Sequence, residues 1–279
     1  VPAGEVPLRI ASGAVVLAGE RAGEGIPVVL LHGLTASRRY VVMGSRSLER
    51  SGHLTISYDA RGHGASSPAP EVGAYGYREL AGDLAAVLDE LELESAVIAG
   101  ASMGAHTALR FALESPERVA ALALITPSFD PARPREPQEL ARWDALARGL
   151  REGGVDGFVR AYDLAGVPEQ WRETVERVLR QRLAAHEHPL AVADALQAVP
   201  RSPPFERIEQ LATIGAPTLI VGSRDEADPG HPLAVAELYA SAIPGASLLV
   251  EDAGPPARSP IAWQGGQLSR AIAELAQRA

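Results

Sequence analysis

Ser102 stands in Gly100-Ala101-Ser102-Met103-Gly104, a G-x-S-x-G spacing. A serine hydroxyl attacks a carbonyl carbon only when it is held in place and loses its proton during attack. The spacing supplies the first condition. In a sharp turn from strand to helix the two backbones approach closely, so the flanking positions must be small. Gly100 and Gly104 give that room. The turn also sets the Met103 N–H at a helix N-terminus, where it can face a developing oxyanion. The second condition is a base. The chain has seven histidines, at 32, 53, 63, 106, 186, 188 and 231.

The elements that must position these groups follow from periodicity. Residues 7–10 and 13–18 read as an opening hairpin. The apolar run 26–31 reads as a buried parallel strand ending in His32-Gly33-Leu34-Thr35. Residues 54–58 form the next strand, ending in Asp59-Ala60-Arg61-Gly62-His63-Gly64. Residues 76–92 have helical spacing. Residues 96–99 are a strand that runs into the Ser102 turn and a helix through about Leu113, and Val119 to Ile125 is a further strand. Between Pro-rich stretches, residues 129–205 carry only amphipathic helical patterns. Strands then resume at 218–221 and 247–250, with helices at about 232–242 and 262–277. The fold class expected is α/β, a mostly parallel central sheet with helices on both faces plus a helical cap insertion. The core comprises residues 1–128 and 206–279, and the cap 129–205. Ligands of such sheets bind beyond the carboxyl ends of the strands, where each motif above lies.

Composition removes several kinds of chemistry. There is no Cys, hence no thiol nucleophile, disulfide or Cys-based metal site. There is no Lys, hence no Schiff base and no phosphate-binding lysine. The histidines are scattered without metal-ligand spacing, and no G-x-G-x-x-G follows the first strand, so no cofactor is expected. The net charge of −9 gives no footprint for nucleic acid or an anionic membrane. No run reaches the roughly 20 apolar residues that span a bilayer. A cytoplasmic protein acting on a small-molecule substrate is expected.

The order H-G-L-T at 32–35, D-A-R-G-H-G-A-S at 59–66, G-A-S-M-G at 100–104 and Gly222-Ser223-Arg224-Asp225 resembles the α/β-hydrolase family along nearly the whole chain. The resemblance implies Ser102 as nucleophile, the Leu34 and Met103 N–H groups as oxyanion hole, and Asp225 as the acid. It implies structural roles for His32 and the Arg61–Gly64 turn. Relatives that hydrolyse epoxides or haloalkanes carry Asp at the elbow, so Ser102 argues against both.

One position departs from the family. Its histidine follows the last strand, where this chain reads Val250-Glu251-Asp252-Ala253-Gly254-Pro255-Pro256, and Pro255 stands in the histidine's place. No histidine follows His231. His231 is therefore the leading substitute base, in the loop after the Asp225 strand and at the same sheet end as Ser102. His106 is expected one helical turn below Ser102, His63 within its own loop, His186 and His188 on a solvated cap face, and His53 at the far end of the sheet. Asp228, Glu226 and Asp130 compete with Asp225. Trp143, Phe158, Tyr162 and Trp171 belong to the cap and either line a pocket or pack it.

The function expected is hydrolysis of a small carboxylic ester or lactone through Ser102, with a relocated base or reduced activity. The alternatives are non-hydrolytic chemistry of lyase or isomerase type and a silent small-molecule-binding protein on the same fold.

Overall fold

The computed structural model describes residues 4–133, 135–252 and 259–279. The strands are β1 (Val6–Ser12), β2 (Val15–Ala22), β3 (Ile26–Leu31), β4 (His53–Tyr58), β5 (Ala96–Ala101), β6 (Val119–Ile125), β7 (Thr218–Val221) and β8 (Ser247–Leu249). They form one sheet in the order β1-β2-β4-β3-β5-β6-β7-β8. The β1–β2 and β2–β4 pairs are antiparallel; every later pair is parallel. Leu31 pairs with Gly100, Gly100 with Leu124, and Ile125 with Val221. The carboxyl ends of β3, β5, β6 and β7 therefore lie side by side.

The helices are α1 (Ser47–Arg50), α2 (Tyr77–Glu90), α3 (Met103–Glu114), α4 (Pro137–Ala161), α5 (Glu169–Leu183), α6 (Pro189–Ala198), α7 (Leu233–Ala242) and α8 (Gly265–Ala276). Alternate strand residues serve opposite faces. Val29, Leu31, Ile98 and Leu122 pack with Leu84, Ala105 and Tyr239 from α2, α3 and α7. Val28, Leu30, Val97 and Ala121 pack with Leu48, Leu268 and Ile272 from α1 and α8. This two-sided burial explains why the central strands read as unbroken apolar runs.

Between β6 and β7 the described chain is helical. α4 folds back on itself at Gly153 and Gly154, the latter at φ 57°. Its halves meet at Gly149 and Gly157, where a side chain on either residue would run into the other's backbone. Leu146, Phe158, Leu179, Leu183, Val192 and Leu196 form this insertion's own apolar centre. A second cluster, including Tyr75, Tyr77, Met103, Ala191 and Ala195, joins α6 to the turn that carries Ser102. Among the described residues no helix is long and apolar enough to cross a membrane.

A Cβ on Gly104 would overlap the Leu31 carbonyl, and one on Gly100 would overlap the Gly104 carbonyl. Gly104→Ala is expected to lower unfolding free energy by about 1–3 kcal/mol. Gly82→Ala, on the open side of α2, should instead be neutral or stabilise by up to about 1 kcal/mol. Denaturant titration measures both, and equal midpoints for the two variants would contradict the account.

Candidate active site

Ser102 ends β5 and opens α3 at φ 52°, ψ −112°. A serine seldom adopts this backbone geometry, and it persists where neighbours hold it. The Ser102 N–H donates to the Ile125 carbonyl at 2.9 Å, and its carbonyl accepts from the His106 N–H at 3.1 Å. The hydroxyl is thereby presented beyond the sheet.

His231 reaches it from the loop between β7 and α7. Ser102 Oγ lies 2.7 Å from His231 Nε2, and His231 Nδ1 lies 2.8 Å from Asp228 Oδ2. Nδ1–H must donate to the carboxylate, which leaves the Nε2 lone pair to accept from the hydroxyl. The neutral ring is thus held in the tautomer a general base needs. Burial alone would lower the His231 pKa; the charge of Asp228 and the hydrogen bond to it outweigh this and raise it. Burial pushes Asp228 up, but His231 and the Arg182 guanidinium hold it below the usual carboxylate range. The Asp228 side chain is 43% exposed, so solvent screens the pair.

The carboxylate hydrogen-bonded to His231 is Asp228, not the expected Asp225. The loop descends in tight turns, with Asp228 N–H donating to the Asp225 carbonyl and His231 N–H to the Asp228 carbonyl, both at 3.2 Å. Residues 228 and 231 are brought side by side. Asp225 spends its carboxylate on its own turn, accepting the Ala227 N–H at 2.9 Å. Burial, helped by Asp228 and Glu251, pushes Asp225 up to about 6. Glu251, after β8, braces the start of the loop: its carboxylate accepts from Ser223 Oγ at 3.0 Å and from the Arg224 N–H. Pro255 lies outside the described residues.

Leu34 and Met103 both border the cavity at Ser102. A Cβ on Gly33 would lie 3.4 Å from Ser102 Cβ, so the 33–34 backbone is against the serine. Met103 is the first residue of α3, whose N–H has no partner within the helix. No backbone acceptor for the Leu34 N–H occurs among the described residues.

Five of the other histidines engage backbone groups. His106 Nε2 accepts the Ser128 and Phe129 N–H groups, so its Nδ1–H donates to Tyr77 Oη at 3.1 Å. Burial takes its pKa down to about 3, so it stays neutral. His32 accepts the Ala60 N–H at 2.9 Å, and His63 donates to the Arg61 carbonyl. His53 is buried beside α1, bonded to the Leu48 carbonyl. His186 is not on a solvated face: it is buried, and it joins the insertion to the loops at 35 and 64. Arg61 forms a buried two-point pair with Asp83 at 2.7 and 2.8 Å, fixing its loop to α2.

Two spaces flank Ser102. A cavity of about 590 Å³ is bordered by Tyr77, His106, Phe129, Trp143 and Val235, among others. A recess of about 90 Å³ on the other side is bordered by Tyr40, Arg182, Asp228, His231 and Trp263. Arg182, from α5, lies over the Tyr40 ring at 5.1 Å, and its Nε is buried without a hydrogen-bond partner among the described residues. Nothing in the sequence signals it, because it arrives from the insertion. Of the insertion's aromatics, Trp143 borders the larger cavity, Phe158 is buried and stacked on Tyr162, and Trp171 packs edge-on against Trp263. Among the described residues no group of three or more His, Asp or Glu could hold a metal ion.

A strained serine at a strand–helix elbow in an eight-stranded, mostly parallel sheet defines an α/β-hydrolase fold. The model of that family, the alpha/beta hydrolase fold, matches residues 26–257, and the chain belongs to it. The chain is 35% identical over 215 residues to a 2-hydroxy-6-oxononadienedioate/2-hydroxy-6-oxononatrienedioate hydrolase 2 of Pseudomonas putida, covering 73% of each chain. It is similar to the structure of a thermophilic esterase from Thermogutta terrifontis with malate bound (TM-score 0.76, 26% identity, 99% of each chain). It also resembles Est816, described as an N-acyl homoserine lactone degrading enzyme (TM-score 0.70, 26% identity, 97% of this chain and 99% of that one).

The two carboxylates can be told apart by titrating His231 with ring-selective NMR. Asp228→Asn is expected to move its protonation to lower pH, because the favourable charge and hydrogen bond are lost together. Asp225→Asn should move it less. The reverse ranking would return the acid's place to Asp225.

Proposed function

We propose that the chain hydrolyses the ester or lactone bond of a small molecule that carries a carboxylate. In this reading Ser102 is the nucleophile, His231 the general base and Asp228 the residue that orients it. The observation that carries it is the continuous chain from Asp228 Oδ2 through the His231 ring to Ser102 Oγ.

The steps follow from the donors and acceptors. As Ser102 Oγ attacks the carbonyl carbon, its proton passes to His231 Nε2, and Asp228 stabilises the imidazolium formed. The Leu34 and Met103 N–H groups receive the oxyanion, which is bound more strongly than the ground-state carbonyl. His231 then returns the proton to the departing alkoxide. Water, deprotonated by the same nitrogen, releases the acid and restores Ser102.

The carboxylate requirement rests on Arg182. Its side chain borders the small recess without a salt bridge among the described residues, and a carboxylate there would meet the guanidinium in a charge-assisted bond. The dioate named for the Pseudomonas putida relative and the malate bound in the Thermogutta terrifontis esterase are in keeping with this. The former also favours a second reading, hydrolysis of a carbon–carbon bond beside a ketone in such a diacid, with the same groups.

On an activated ester, Ser102→Ala and His231→Ala are each expected to lower kcat/KM by about 10⁴-fold or more. Turnover by Ser102→Ala at the wild-type rate would overturn the nucleophile. A Ser102-dependent rate unchanged in His231→Ala would overturn the base. Arg182→Gln should reduce the preference for a carboxylate-bearing ester over its neutral isostere by about 10- to 100-fold; an unchanged preference would remove the anchor.

A further inference from the structure

The proposed reaction needs the Leu34 N–H to be aimed at the oxyanion, and the hydrogen bonds within the 32–36 segment engage neither Leu34 nor Thr35. Resting on the serine-hydrolase reading, we propose that His186, between α5 and α6, is a positioning residue for it. His186 holds the turn that carries Leu34 and makes its shape depend on the docked helical insertion.

The turn from Gly33 to Ala36 closes with the Ala36 N–H on the Gly33 carbonyl at 3.0 Å. Leu34 and Thr35 are its central residues, and Thr35 stands at φ 66°. Turns with positive φ at the third position take Gly or Asn there, and a β-branched residue is strained. Such a residue keeps its conformation only when its surroundings impose it.

His186 supplies that constraint from far along the chain. Its Nε2–H donates to the Thr35 carbonyl at 3.0 Å, and its Nδ1 accepts the Gly64 N–H at 2.8 Å. Both bonds require one and the same neutral tautomer. Burial lowers the ring's pKa and keeps Nδ1 free to accept. The next residue completes the grip: the Glu187 N–H donates to the Gly64 carbonyl at 2.9 Å. The His63 ring stands edge-on to His186 at 5.5 Å and tilted to His32 at 5.2 Å. His32 in turn donates to the Gly33 carbonyl at 2.8 Å. Three imidazoles thus bind the 32–36 and 59–66 loops together, and only His186 comes from the insertion. Because both its nitrogens engage backbone groups, what it specifies is where two stretches of backbone lie. The nearer stretch passes close to Ser102, since a Cβ on Gly33 would lie 3.4 Å from the serine's Cβ.

Three variants separate positioning from bulk packing, assayed on an activated p-nitrophenyl ester with Ser102→Ala as background. In His186→Ala, kcat should fall about 10- to 100-fold with KM within about twofold, as for a small misplacement of a reacting group. His186→Gln can place its amide N–H near the Nε2 position, donate to Thr35 and recover most of that loss. His186→Asn can place its carbonyl near Nδ1, accept only from Gly64 and recover little. Amide exchange at Ala36, which requires no turnover, should speed up in the Ala and Asn variants and stay slow in the Gln variant. Equal kcat loss in Gln and Asn, an unchanged kcat in Ala, or Ala36 exchange that ignores all three would overturn the proposal. If the wild type turns over no ester, the serine-hydrolase reading fails by itself, and the Ala36 pattern still decides whether His186 holds the turn.

Discussion

A hydroxyl becomes a nucleophile when an acceptor waits within hydrogen-bond reach, and here that acceptor hangs from the loop between β7 and α7. The bond between Ser102 Oγ and His231 Nε2 links the end of β5 to the loop after β7. Its serine side is set by steric exclusion, since Gly100 and Gly104 let strand, helix and β3 approach more closely than any side chain permits. Its histidine side is set by consecutive turns from Asp225 to His231, braced at their start by Glu251. Loss of either support would leave a serine without a base.

Charge is distributed unevenly around that bond. Asp228 holds the ring through a direct hydrogen bond, while Asp225, a few residues earlier, is raised by burial and by its acidic neighbours. Arg182 faces the same recess and favours the ionised Asp228. The small recess thus combines a cation with the reacting groups, whereas the larger cavity mixes apolar side chains with acids and bases of both signs. The proposed carboxylate-bearing substrate would place its compact anionic end in the recess and its larger end in the cavity.

Most of the fold was legible in the sequence because its signals are local. The hairpin, the buried strands and the elbow depend on periodicity and on glycine spacing, and the observed elements begin and end within a few residues of those expected. His231 could be singled out because the chain has no later histidine and its loop follows a strand whose carboxyl end lies at the same sheet end as Ser102. The choice between Asp225 and Asp228 could not be made that way. They stand three positions apart in one loop, and turn geometry alone decides which carboxylate lies beside the ring. His186 and Arg182 were less legible still, since an insertion's helical pattern tells which residues share a face but not where that face docks.

In the proposed reaction Ser102 is a nucleophile served by His231. Reaction with an alkyl fluorophosphonate, followed by peptide mass mapping, tests it most directly. One phosphonyl adduct is expected, on the peptide containing Ser102, formed far more slowly in His231→Ala. An adduct on another residue, or one forming at the same rate without His231, would contradict it.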